Sequence, residues 1–398
     1  MTKALHIVFD ARMVHYRQAG IGQYAVSLLR ALAELPGLGQ EARVDMLQMR
    51  ADTRPIVRDP RFRRIAAWTP PHNRFEQIAL PVELLKIRPR PQLMHCPDFV
   101  PPRLRLFRAV VNIQDLAFLK LPELTLLTGE SKRYYGQVGW AARNADALIA
   151  LSQSARDDIV ALLGVDARKV AVIPAAADAR FRPPDDYGRA RELADRRLGL
   201  GPGDGGYILF VGTIEPRKNL TALVEAYSLL ISRGRVRPMP VLLIVGKKGW
   251  LSEQLYMRIG ELGLEKQVLF LHDVEDHEMP SFYAGARAFA FPSLYEGFGI
   301  PALEALATGT PVVSSNAGSL GEVVGDAGML IDPHDVDGWA GALESVLLDP
   351  DLSARLRAAG PGRAAQFSWQ RAAKATLDLY YEVAEISKPN PQSLTPNP

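Results

Sequence analysis

Short apolar runs, many of them β-branched, alternate along the chain with stretches of helical periodicity. The first set is Leu5–Phe9, Val44–Leu47, Val110–Ile113, Ala147–Leu151 and Val170–Ile173; the second is Tyr207–Val211, Val241–Val245, Val268–Leu271, Ala288–Phe291 and Val312–Ser314. Continuous apolar strands separated by helices belong to parallel sheets covered on both faces, so the pattern predicts an α/β fold with two doubly wound, Rossmann-like domains. Between the two sets, Pro174–Gly206 is rich in Pro, Gly and Asp and holds one charged helix, Arg189–Arg197, which reads as a connection. The expected organisation is a domain over 1–175, a connection over 176–206 and a second domain over 207–368. An amphipathic helix over 369–386 is expected to cross back to the first domain, and the polar, Pro-rich tail 387–398 to be disordered. Two such domains face each other across a cleft. Ligands of doubly wound sheets bind beyond the carboxyl ends of the strands, so the loops after Phe9, Ile113, Val211, Leu271 and Phe291 are the places to search.

A chain of 398 residues with 47% hydrophobic and 23% charged residues suits two soluble globular domains. Its only cysteine, Cys96, excludes an internal disulfide and points to a reducing, cytoplasmic setting. The opening apolar run stops at Asp10, too short for a signal peptide or a membrane span. Charge is divided unevenly: residues 1–175 hold 25 Lys and Arg against 16 Asp and Glu, while the remainder holds 22 against 28. Arginines interleave with apolar residues in Arg50–Arg64 and Arg103–Arg108, which suits either a solvated face or an anionic surface, such as the inner face of the cytoplasmic membrane or a phosphate-bearing acceptor. No recognition-helix, zinc or stacking motif accompanies this charge, so nucleic acid is not expected as a partner.

The most informative segment is Tyr295-Glu-Gly-Phe-Gly-Ile-Pro-Ala-Leu-Glu304. It follows an apolar strand, and Gly297 and Gly299 let backbone N–H groups approach a ligand. Pro301 suits a first helical turn, whose dipole favours a phosphate. Glu296 and Glu304 can then hold hydroxyls in the same pocket. After Val211 comes Gly212-Thr-Ile-Glu-Pro-Arg-Lys-Asn-Leu220, where Arg217 and Lys218 stand beside a helix N-terminus, a placement an anionic ligand would favour. Asn219 reads as that helix's N-cap. In the first domain Gly20-Ile-Gly22 opens the first helix without the full dinucleotide fingerprint, and Asn112-Ile-Gln-Asp115 supplies a carboxylate after a strand, either for a hydroxyl or as a cap. His95 either lines the cleft or fills the core. Asp335-Val-Asp337 reads as helix-start acids, Ser152-Gln-Ser154 as a cap, and the seven histidines lack ligand spacing, so no metal is expected.

Together these segments resemble the GT-B, retaining glycosyltransferases of family four, over about residues 5–385. Glu296 to Glu304 matches that family's Glu-x7-Glu signature, Val211–Leu220 resembles its phosphate loop, and Gly20–Gly22, Asn112–Leu116, Leu151–Ser154 and Ser314–Gly325 follow in order. The resemblance implies a metal-independent transferase that needs no cofactor, its nucleotide-sugar donor being a co-substrate. It implies that Glu304 binds the ribose, Glu296 the donor sugar, and the amides of Phe298, Gly299 and Ile300 the sugar or phosphates. Lys218 with Arg217 would neutralise the leaving diphosphate, with Gly212 and Thr213 in the same loop. Gly22 would approach the phosphates from the first domain, with Gly20 in the same turn. Read from the residues themselves, Asp115 could orient the acceptor or sugar or cap the next segment, and in the loop after Leu271 Glu275 or Asp276, with Val274 beside them, could accept from a guanine base. Thr213 stands where many relatives carry Arg, and Gln114 where many carry His; Gln does not titrate near neutrality, so an acid–base role is not carried over. Within the family, Gly-Ile-Gly and Glu-Pro-Arg-Lys-Asn resemble mannosyltransferases that use GDP-mannose to build surface polysaccharides on glycan or lipid-linked acceptors. UDP-sugar donors, or a weakly active sugar-nucleotide sensor or scaffold, are the alternatives.

Overall fold

Both expected sheets form, and every pairing in them is parallel. The computed structural model describes residues 5–16, 20–36, 38, 42–104, 107–125, 132–133, 135–201 and 203–385. These fall into two compact units: one holds the residues up to Leu116, those from Leu127 to Ala175 and those from Ser368 onward, the other Ala117–Leu126 and Ala176–Phe367. The tail read as disordered lies outside the described residues.

In the first unit, β1 (Leu5–Asp10), β2 (Ala42–Met49), β3 (Phe62–Ala67), β4 (Leu93–Cys96), β5 (Arg108–Asn112), β6 (Ala147–Ala150) and β7 (Val170–Val172) lie in the order β3-β2-β1-β4-β5-β6-β7. The order reverses between β1 and β4. Helices α1 (Ile21–Glu34), α2 (Glu76–Leu84), α4 (Val138–Asn144) and α5 (Gln153–Leu163) belong to it; α3 (Ala117–Lys120) counts with the second unit. Ser152 caps α5, accepting from the Ala155 N–H at 3.0 Å.

β3 and β4 are absent from the sequence pattern. β3 begins at the end of the basic stretch Arg50–Arg64, and its arginines are engaged internally: Arg63 holds the buried Asp45 at 2.9 and 2.5 Å, and Arg64 donates to the carbonyls of Met49, Arg50 and Asp52. Arg54 and Arg61 pair with Asp52 and Asp59. Four of the six arginines of that stretch are therefore engaged within the first unit.

In the second unit, β8 (Tyr207–Val211), β9 (Val241–Val245), β10 (Val268–Leu271), β11 (Ala288–Phe291), β12 (Val312–Ser315) and β13 (Met329–Ile331) lie in the order β10-β9-β8-β11-β12-β13. Here the reversal falls between β8 and β11. The helices are α6 (Tyr187–Leu198), α7 (Leu220–Arg233), α8 (Glu253–Glu261), α9 (Met279–Gly285), α10 (Ile300–Ala307), α11 (Leu320–Val324), α12 (Val336–Leu348) and α13 (Pro350–Ala364). α6 packs on α9, and Asp335 caps α12 by accepting from the Gly338 N–H, a helix-start role.

The last helix, α14 (Trp369–Ala384), packs on α1, β4 and β5 of the first unit. Its Tyr380 hydroxyl bonds Nδ1 of the fully buried His95, whose Nε2 meets Asn112 Oδ1 at 2.6 Å. Burial pushes the imidazole down to about 4, the Asn112 bond opposing this, so it is neutral at pH 7. His95 fills the core.

Candidate active site

The second unit's site is built at the carboxyl ends of β8 and β11, where a doubly wound sheet opens a crevice. After β8 the chain makes a 3₁₀ turn, Pro216–Lys218, and enters α7 through Asn219 in a left-handed conformation (φ 56°). Asn219 sits at the N-cap position, yet its side chain caps nothing. It donates instead to the carbonyls of Pro292 (3.2 Å) and Pro333 (2.7 Å), tying the turn to the loops after β11 and β13.

The same turn carries Lys218 inward. Lys218, 7% exposed, places Nζ 2.5 Å from Oε1 of Glu296, also 7% exposed, and Arg217 Nη1 lies 3.2 Å from Glu296 Oε2. Arg217 further donates to the Tyr295 carbonyl and pairs with the buried Glu215 at 2.5 Å. Burial alone would raise the Glu296 carboxyl, but the charges of Lys218 and Arg217 overcome it and hold the group down at about 2. Lys218 is lowered, first by burial and then by Arg217, although Glu296 opposes both. The resemblance implied sugar hydroxyls for Glu296 and the diphosphate for Lys218; the structure pairs the two with each other.

The backbone of Glu296 is clamped from the far side. Its carbonyl accepts from the Ser319 N–H (3.2 Å) and hydroxyl (3.0 Å), and Gly318, at φ 59°, comes so close that a Cβ there would lie 2.6 Å from the same carbonyl oxygen. Gly299, at φ 100°, is the N-cap of α10, and a Cβ on it would meet Leu320 at 2.6 Å. A side chain there is strained by the backbone conformation and requires the end of the Leu320 side chain to shift. Among the described residues no acceptor pairs with the N–H groups of Phe298, Gly299 or Ile300, so the start of α10 presents unsatisfied donors at its positive end.

Glu304, in the second turn of α10, has different surroundings. It accepts from the Tyr283 hydroxyl at 2.8 Å and shares no hydrogen-bond partner with Glu296. Burial pushes its carboxyl up to about 7, the Tyr283 bond opposing this only in part. Asp276 is exposed in the loop after β10, 3.8 Å from Arg180; Val274 is partly buried in the same loop. Gly212 and the exposed Thr213 lead out of β8. Tyr283, Gly318 and Ser319 were not singled out from the sequence, and only their fold neighbours reveal them.

Gly20, Gly22 and Asp115 lie in the first unit. Gly20 has open space around it and Gly22 faces the 3₁₀ turn Arg12–Tyr16, where a Cβ would meet the Met13 carbonyl at 3.4 Å. Asp115 follows β5 beside Gln114, whose amide donates to the Pro97 carbonyl at 3.2 Å. At this unit's own reversal point, Arg12 is buried between Asp10 (2.9 and 2.7 Å) and Glu76 (2.6 Å), and His72 Nε2 meets Asp98 at 2.6 Å. Of this cluster the sequence pattern pointed only to the loop after Phe9.

Two family descriptions match the chain: glycosyl transferases group 1 over residues 194–363, and the glycosyl transferase 4-like domain over residues 19–176. The O-antigen chain mannosyltransferase B of Escherichia coli is 30% identical over 394 residues, covering 94% of this chain and 99% of that protein. This chain belongs to the group 1 glycosyltransferases. A D-inositol 3-phosphate glycosyltransferase of Rhodococcus erythropolis is 35% identical to this glycosyltransferase over 246 residues, 60% of this chain and 54% of that one. Among solved structures, a sucrose-phosphate synthase from Thermosynechococcus elongatus overlays with a TM-score of 0.74 at 22% identity, covering 95% of this chain and 99% of that one. WaaG, a glycosyltransferase involved in lipopolysaccharide biosynthesis, gives 0.70 at 17%, covering 94% and 99%. These likenesses establish the GT-B fold of the glycosyltransferase. No described helix is long and apolar enough to cross a membrane.

Proposed function

We propose that this glycosyltransferase moves mannose from GDP-mannose to a hydroxyl of a glycan or lipid-linked acceptor in surface polysaccharide synthesis, with retention of configuration and without a metal. The observation that carries the donor site is the buried Lys218, held with Arg217 beside the open start of α10. Two cations held on Glu296 and, shortly after it in the chain, the unsatisfied N–H donors at the start of α10 are the groups that would stabilise a diphosphate's charge as it leaves. In this reading Lys218 and Arg217 take the diphosphate, the amides of Phe298, Gly299 and Ile300 its oxygens or the sugar, Glu296 the sugar hydroxyls and Glu304 the ribose. The choice of mannose rests on the full-length likeness to the mannosyltransferase. For guanine, Asp276 and Glu275 supply exposed carboxylates that would accept from N1–H and N2–H₂, whereas uracil has one such donor.

A thermal-shift panel of GDP, UDP, ADP and their sugars tests the donor, because a ligand of the folded state raises its melting temperature. GDP and GDP-mannose are expected to give the largest shifts. A larger response to UDP-sugars would replace the donor assignment, and an unchanged GDP/UDP preference in Asp276→Asn and Glu275→Gln would remove those two residues from base reading. Proton NMR of the glycosidic product reads the stereochemistry, and turnover in chelator reads the metal.

A further inference from the structure

The second unit holds a cavity of about 700 Å³ at the amino end of β11, the end of that strand opposite the loop that carries Glu296. Its walls come from the start of α6, the turn joining α9 to β11, the end of α12 and the start of α13. Arg191, Arg287 and Arg357 all line it, and among the described residues no acidic one does. Asp186 and Asp349, next to cavity residues in the chain, are occupied in capping α6 and α13 through backbone N–H groups. The carboxylate on Arg191 is that of Asp195, 3.4 Å from Nε and not part of the cavity wall.

Cations gathered in this way are costly unless an anion joins them. Arg357 lays its guanidinium over the Tyr187 ring, 4.2 Å from the centroid, and its Nη1 is buried with no hydrogen-bond partner among the described residues. Arg287 spends Nη2 on the Leu347 carbonyl at 2.6 Å; burial, and then the charge of Arg191, lower its pKa from the ordinary guanidinium value. A buried donor without a partner and two guanidinium groups that repel each other are both relieved by one anion carrying several oxygens. Phosphate has that charge and fits the planar fork of a guanidinium. The cavity is larger than phosphate alone requires, and Leu347 and Ala284 give it an apolar wall.

We infer that this cavity is a second ligand site of the second unit, for a small phosphate monoester of about the size of a hexose phosphate, its phosphate held by Arg191, Arg287 and Arg357 and its organic part set against Leu347 and Ala284. None of Arg217, Lys218, Glu296 or Glu304 lines it, so it is separate from the groups assigned to the donor. It goes beyond glycosyl transfer and stands whether or not the donor assignment holds, since its measurement involves no donor.

Calorimetric titration of the full chain with glucose 6-phosphate, glucose and inorganic phosphate tests it. Glucose 6-phosphate is expected to bind about tenfold or more tighter than inorganic phosphate, and glucose not to bind. Arg287→Ala and Arg357→Ala should each weaken the ester about tenfold or more, whereas Lys218→Gln, in the donor site, should leave it unchanged. Ser353→Asp keeps all three arginines and sets a negative charge on the cavity wall near the start of α13, where an acid suits the helix dipole. It should weaken the ester as strongly at an unchanged melting temperature, which separates loss of the site from loss of the fold. Binding that Lys218→Gln abolishes and Arg357→Ala spares would put the phosphate among the donor groups and overturn the proposal. So would binding indifferent to Ser353→Asp, inorganic phosphate held as tightly as the ester, or no heat from any of the three at millimolar concentration.

Discussion

Lys218 and Glu296 each limit what the other can do. With both side chains buried, removing the carboxylate strands a cation in a poor solvent, an error that costs about 3–5 kcal/mol in buried pairs. Loss of activity in Glu296→Ala therefore mixes catalysis with stability, and Glu296→Gln is the cleaner probe. If the diphosphate takes Lys218, as proposed, Glu296 competes with it, and Glu296→Gln should bind free nucleoside diphosphate more tightly, by about tenfold, while turnover falls; calorimetry and steady-state kinetics on one preparation read both. Glu304 gives the opposite sign of pH dependence. Its folded-state value, raised to about 7 from an ordinary 4.5, makes it a net cost to folding that grows as pH rises from 4.5 through 7, whereas Glu296, depressed to about 2, stabilises above 4.5 and loses that contribution as pH falls toward 2. If ribose hydroxyls require the ionised Glu304, nucleotide binding should tighten as pH rises through 7 and release a proton below it. Glu304→Gln should weaken binding and flatten that profile, as titration in buffers of different ionisation enthalpy would show. Both glutamates were legible from their spacing, but their opposed protonation was not, because it depends on Lys218, Arg217 and Tyr283 arriving from other elements.

At the level of elements, most strands were legible as continuous apolar runs, while β3, β4 and β13 were silent for physical reasons. β4, Leu-Met-His-Cys, has no β-branched residue, and β3, Phe-Arg-Arg-Ile-Ala-Ala, hides in a basic run whose charges are satisfied only once Asp45 is beside it. β13 is three residues long and only partly buried. The start of α10 was legible as Gly-Phe-Gly-Ile-Pro; its dependence on α11 was not. Gly299→Ala should cost about 1–3 kcal/mol from the positive φ, with further loss from the contact with Leu320, and should lower kcat/KM by displacing the N–H donors of α10. Denaturant melts and kinetics on the same variant separate the two effects. Gly318, equally constrained, is the comparison that moves Glu296 instead.

On the scale of the whole molecule, the first unit is assembled from both ends of the chain. Tyr380→Phe should leave His95 Nδ1 buried without its partner and destabilise that unit by about 1–3 kcal/mol, visible as a lower urea midpoint, with nucleotide affinity in the second unit unchanged. Tyr24 and Trp369, packed edge to face at 5.6 Å, join α1 to α14 over the same gap in sequence. Synthesis runs in the other direction from completion. The ribosome delivers β1 first, yet the surface that α14 covers on α1, β4 and β5 stays open until residues 369–384 emerge, after the whole contiguous stretch Ala176–Phe367 has left the exit tunnel. The half of the enzyme made first is thus the half finished last, and a nascent or prematurely terminated chain exposes apolar surface at β4 and β5 of the kind that chaperones and proteases recognise.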